Sequence, residues 1–208
     1  MLRIARRRWL LGVFLSWCGA STVSAEIIVN GGQVPWFGEL SNGWVGGNAR
    51  QIEAILLTTQ NADLRTIMRA MSRRVRGLDI YFAHVDTDGT SSDTLSSIRV
   101  SKVDQPLLLA QTDRTAWWQQ RIAALLREAP AGATARLIDE RALETSGHPA
   151  LQGTVRVELP EGGAYLEVIH MVQYDAVSTH VFQLRADQNK FPARRRDFVR
   201  LLDTVIYR

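Results

Sequence analysis

Residues 165–186 carry the longest β signal in the chain: an apolar run at 165–174, a turn at Asp175-Ala176, and a second run at 177–186. Two such runs joined by so short a connection pair antiparallel, because a parallel pair needs a crossover of a dozen or more residues. Further strand signals lie at 78–85, 95–103, 134–144 and 151–159. Residues 86–93 and Ser146-Gly147-His148-Pro149 read as the turns between them. Helical spacing marks three segments: Leu64, Ile67, Met68, Met71 and Val75; then Trp118, Ile122, Leu125 and Leu126; and last Phe198, Leu201, Leu202 and Val205 after Pro192. The order helix, strands, helix, strands, helix predicts an α+β fold, an antiparallel sheet covered by helices.

The start of the chain is an address. Arg3, Arg6, Arg7 and Arg8 precede an apolar stretch at 9–17, and small residues end at Val23-Ser24-Ala25. This is the layout of an export signal, with cleavage expected after Ala25. The apolar stretch is shorter than the roughly 20 residues a bilayer core requires. Residues 26–208 are therefore expected to form one domain in the periplasm of a Gram-negative cell, with no stable membrane span after cleavage. An uncleaved signal holding a membrane-associated factor is the alternative. Removing those four arginines from the 25 Lys and Arg leaves as many basic as acidic side chains, of which there are 21. A formally neutral domain has no footprint for a polyphosphate backbone, so no nucleic-acid partner is expected. Cys18, the one cysteine, leaves with the signal, and with it any disulfide, Cys-ligated metal or Cys nucleophile.

Residues 26–60 are rich in Gly and aromatics, and are expected to form a short strand at 27–29 followed by loops folded over the core. Trp36, Phe37 and Trp44 are the candidates there for an aromatic contact surface. The run at 53–59 reads as a buried strand or the lead-in to the next element. Along the first helix Arg65, Arg69 and Arg73 form a basic face, a candidate for an acidic partner or anionic head groups beside its simpler reading as a solvated surface.

No serine-hydrolase elbow, phosphate loop, dinucleotide fingerprint or His-Glu-x-x-His is present. Asp86, Asp88 and Asp93 around Gly89 do not complete a calcium loop. His170 and His180 stand on the two arms of the long hairpin. With a two-residue turn they point to opposite faces; with a three-residue loop or a bulge they share one, and there they are the candidate metal ligands or the basis of a hydrolytic site, with Glu167 or Asp175 as helpers. A half-buried, hydrogen-bonded histidine is the simpler reading of each. No cofactor is expected.

The helix at 115–127, the hairpin at 165–186 and the closing Phe198-Val199-Arg200-Leu201-Leu202-Asp203-Thr204-Val205 resemble the PsbP-like fold of the PsbP, Mog and DcrB-type proteins, over roughly residues 78–208. The resemblance implies an α/β/α sandwich and a non-enzymatic role as an accessory or binding protein, whose partner is a protein or an envelope component.

Overall fold

Antiparallel pairing runs through every described strand. The computed structural model describes residues 27–30, 36–41, 43–60, 62–75, 78–85, 96–107 and 111–207. The expected export signal at 1–25, Gly31-Gly32 and the expected acidic turn at 86–93 lie outside them. Strands β1 (Ile27–Asn30), β2 (Trp36–Leu40) and β3 (Trp44–Gly47) come first, then helices α1 (Ala49–Thr58) and α2 (Ala62–Arg74). Next come β4 (Ile80–His84), β5 (Ser97–Val103) and α3 (Gln111–Glu128). The chain closes with β6 (Thr134–Thr145), β7 (His148–Glu158), β8 (Ala164–Gln173), β9 (Thr179–Asp187), α4 (Phe191–Thr204) and β10 (Ile206–Tyr207).

Two expectations for the N-terminal segment are corrected. The region after the first strand holds β2 and β3 rather than loops, and the apolar run at 53–59 belongs to helix α1. Its start is fixed by a capping box in which Asn48 Oδ1 accepts from Gln51 N at 3.0 Å and Gln51 Oε1 from Asn48 N at 2.9 Å.

Seven strands form the main sheet in the order β3-β4-β5-β9-β8-β7-β6, and β1-β2-β10 form a small second sheet. The two faces of the main sheet bury different cores. Val168 and Val172 of β8, with Phe182 and Leu184 of β9, pack against Phe198, Leu201 and Leu202 of α4. Tyr165, Ile169 and Met171 point the other way, to Trp118 and Leu125 of α3. On that same side Tyr81 and Ala83 of β4 pack with Ile52 of α1 and Met68 and Met71 of α2. Because β8 is covered on both faces, it reads as an apolar run rather than an alternating one.

Two connections set which residues share a face. Gln173 pairs with Thr179, leaving residues 174–178 as a five-residue connection. Asp175 Oδ1 shapes it by accepting from the backbone N–H of Val177 at 2.9 Å and Ser178 at 2.7 Å. The β6–β7 turn is the two-residue type I′ form: Ser146 and Gly147 both have positive φ, 50° and 79°. Ser146 Oγ donates to the Val205 carbonyl, tying this turn to the end of α4.

Along β6 the register shifts between Leu137 and Asp139, a bulge at Ile138. The bulge flips the strand's alternation, so Leu137 joins the α3 core and Leu143 joins the α4 core.

Candidate functional site

The helices part over β5 and β9. On the side carrying α1, α2 and α3, the first two pack on β3 and β4, and α3 packs on β6, β7 and β8. Between the two packs the residues pointing outward from β5 and β9 are Ser97, Arg99, Ser101, Gln183 and Arg185, paired Ser97 with Arg185 and Arg99 with Gln183. Four of these five remain partly exposed. They floor a polar lane between the two apolar packs.

Glu167 of β8 sits at the side of this lane with a side chain that is 0% exposed. Its Oε2 accepts from Arg185 Nε at 2.9 Å and from Arg99 Nη2 at 3.4 Å, and its Oε1 accepts from Arg121 Nη2 of α3 at 2.5 Å. Arg185 also reaches Glu128 at 3.1 Å, and its guanidinium lies 4.9 Å from the centre of the Tyr165 ring. Burial opposes ionisation of Glu167, but Arg185, Arg121 and Arg99 together outweigh it and hold the carboxyl below the usual range. Burial likewise lowers Arg99, with Glu167 opposing, whereas Arg185, held by two carboxylates, is raised.

Toward the other end of the lane the lining turns apolar. Val103, Leu107, Trp117, Leu151, Met171 and Val181 surround a cleft of about 50 Å³. Along α3, Arg114 borders this cleft, Arg121 reaches Glu167 and Glu128 reaches Arg185. Their seven-residue spacing puts the three on one stripe of the helix.

On the opposite face, the five-residue connection places His170 and His180 together on the α4 side, the shared face that was expected of a three-residue loop or a bulge. Their surroundings differ. His170 is 0% exposed, with Nε2 2.8 Å from Thr145 Oγ1 and Nδ1 3.2 Å from Gln152 Oε1. Gln152 presents an oxygen, so neutral His170 carries its proton on Nδ1 and accepts the Thr145 hydroxyl at Nε2. Burial, helped by Arg141, pushes its pKa down to about 4. His180 instead stacks with Tyr174 at 5.4 Å and Tyr207 at 5.5 Å between ring centres, and burial lowers it to about 4 as well. His148 meets the Tyr207 ring edge-on at 4.9 Å. No group of three His, Cys, Asp or Glu side chains suited to a metal occurs among the described residues.

The remaining candidates are dispersed. Trp44 is 1% exposed, and Asp197 Oδ2 of α4 accepts from its Nε1 at 3.1 Å; His84 meets its ring edge-on at 5.2 Å. Its ring packs the core rather than forming a surface. Trp36 and Phe37 lie on β2, paired with Tyr207 and Ile206. Arg65 donates to the Thr59 carbonyl at 2.6 Å and so closes the end of α1, while Arg69 and Arg73 are exposed on α2. Sequence reasoning missed the lane. Its one signal was an acid, Glu167, in the middle of an apolar strand.

No described helix is long and apolar enough to cross a membrane. Neither a protein-family model nor a curated protein matches the chain. Among solved structures, the cyanobacterial PsbP protein CyanoP of Synechocystis sp. PCC 6803 superposes with a TM-score of 0.55 at 14% identity, covering 93% of this chain and 99% of that one. The Ran-binding protein Mog1p of Saccharomyces cerevisiae does so with a TM-score of 0.52 at 8% identity, covering 90% and 96%. The fold is PsbP-like, as the helix at 115–127, the long hairpin and the closing helix implied.

Proposed function

We propose that this PsbP-like chain is exported through its N-terminal signal and works in the periplasm as a non-enzymatic accessory protein, binding a protein or envelope component in the lane over β5 and β9. The observation that carries this reading is the lane itself. Between the helices that cover its two flanks, the middle of the sheet is left open on one side, with an apolar cleft toward one end and guanidinium groups toward the other. Binding sites commonly combine an apolar cavity with a few placed polar groups. Two features of the sequence supply the rest: a basic, apolar and small-residue start that a signal peptidase reads, and a processed domain without net charge.

Site-specific photocrosslinking in the native host tests both halves. A crosslinker at Ser101 or Gln183 is expected to trap one partner from the periplasmic fraction, and the same probe at exposed Glu161 is expected to trap none. Equal capture from all three positions would remove the lane from the reading. The trapped protein should begin at Glu26; a chain retaining Met1 in the cytosol would overturn export.

A further inference from the structure

We propose that the charged end of the lane is an oxyanion site, taking a carboxylate or phosphate group of the bound molecule on Arg99 and Arg121 while an apolar part of the same molecule enters the cleft beside Trp117. This rests on the lane being the binding surface and adds the chemistry of what binds there.

The charge count is the first support. Three guanidiniums, Arg99, Arg121 and Arg185, meet Glu167 and Glu128, so these five side chains carry one positive charge in excess. The two acids are not equivalent. Glu167 is 0% exposed, whereas Glu128 is 49% exposed, so water weakens its compensation. The three arginine side chains keep only 18%, 19% and 27% of their surface. Water has been largely removed from cations that the acids in contact with them among the described residues do not balance.

Donors also outnumber acceptors. The Nε atoms of Arg99 and Arg121 are buried with no hydrogen-bond acceptor among the described residues. An arginine offers five N–H donors in a planar fork matched to carboxylate and phosphate. Glu167 spreads two oxygens over three such forks. Glu167 therefore cannot engage every N–H of the three forks, and a second oxyanion at the exposed edges of Arg99 and Arg121 would neutralise the excess charge and accept from the guanidinium N–H groups that face the lane.

The lane also fixes how far apart the two parts of the ligand lie. From Arg99 to Val103 the strand advances four residues, about 13 Å at about 3.3 Å each. The cleft that starts at Val103 is small and lined mainly by apolar side chains, together with Gln105, Arg114 and Thr179. An acidic group and a compact apolar group about that far apart, with polar Ser101 and Gln183 between them, fit an extended acidic segment of a protein, whose backbone can meet the polar floor that an alkyl chain would leave unsatisfied.

Arginine side-chain NMR on the purified protein tests this, titrating separately with inorganic phosphate, acetate, octanoate and a short peptide holding Glu four residues from Leu. The guanidinium signals of Arg99 and Arg121 are expected to shift and saturate, and those of Arg69 and Arg73 to stay in place. Arg99→Gln should weaken binding by about tenfold, the scale of one charge-assisted contact, while Arg73→Gln leaves it unchanged. Tighter binding of the peptide than of octanoate is expected, and the reverse would overturn the protein segment in favour of an anionic amphiphile. Shifts that never saturate, or that persist unaltered in Arg99→Gln, overturn the oxyanion site. The crosslinks from Ser101 and Gln183 would survive that result, so loss of the ligand chemistry is distinguishable from loss of the lane.

Discussion

Glu167 and His170 stand three residues apart on β8, both fully buried, one on each face of the sheet. Around His170 every polar valence is met by a neutral partner: Thr145 on one ring nitrogen, Gln152 on the other. Around Glu167 the carboxylate is met three times over, and the surplus lies on the cations. A closed neutral network holds a shape, and here it pins β6 and β7 to β8 beside the turn that clasps α4. An overcharged network keeps a capacity to take something more. Burying a polar group is tolerated when its partners are complete, and a shortfall of partners inside a fold points to strain or to a use.

Substitution of the acid tests this contrast hardest. Glu167→Gln leaves three guanidiniums with no buried counter-charge and should cost about 3 to 5 kcal/mol by urea unfolding. A loss below about 1 kcal/mol would mean that solvent, not Glu167, neutralises the arginines. Acidification is the next test, and its sign follows from the histidines. His170 and His180 have folded pKa values of about 4, below the about 6.5 of an unfolded histidine, so the unfolded chain binds protons first. Stability therefore falls as pH drops from about 6.5 to about 4, with His170 contributing about 3 kcal/mol of the loss. Glu167 behaves differently, because its carboxyl is held low and keeps its contribution until pH falls through that depressed value. His170→Phe should flatten the slope of stability against pH in the upper window, and an unchanged slope would place the proton elsewhere.

Smaller effects separate the two networks further. Thr145→Val removes one acceptor–donor pair from His170 and should cost about 1 to 2 kcal/mol. Arg99→Met takes a cation from a cluster that already has too many, and should change stability by less than about 1 kcal/mol in either direction. A cost for Arg99→Met as large as that for Glu167→Gln would erase the distinction between a closed and an overcharged network.

The legible parts of the fold were those written in local pattern. The long hairpin is two β-rich apolar runs broken by one turn, and the helix ending at Glu128 and the closing helix each carry a period near 3.6 over many residues. Helix α1 had a sign of its own in Asn48 and Gln51, three residues apart as a capping box requires, but the glycines just before it drew the reading toward loops. The shared face of His170 and His180 turned on a connection whose length depends on where pairing stops. That stop is set by Asp175, whose side chain takes two backbone N–H groups and so replaces ladder bonds with a wider loop. The lane was beyond reach for a different reason. Arg99 and Arg121 lie 68 and 46 residues from Glu167, so only the order of strands brings them together.

Strand β6 borders the main sheet, and its outer row of backbone groups has no strand beside it in that order. Twelve residues of straight free edge would be a template along which a second molecule zips, and then a third, toward a fibre. The irregularity at Ile138 divides that edge into runs of four and seven residues that turn opposite sides outward. Any chain laid along it loses step at the break. One inserted residue thus lets the strand serve two cores and at the same time spoils it as a seed for aggregation.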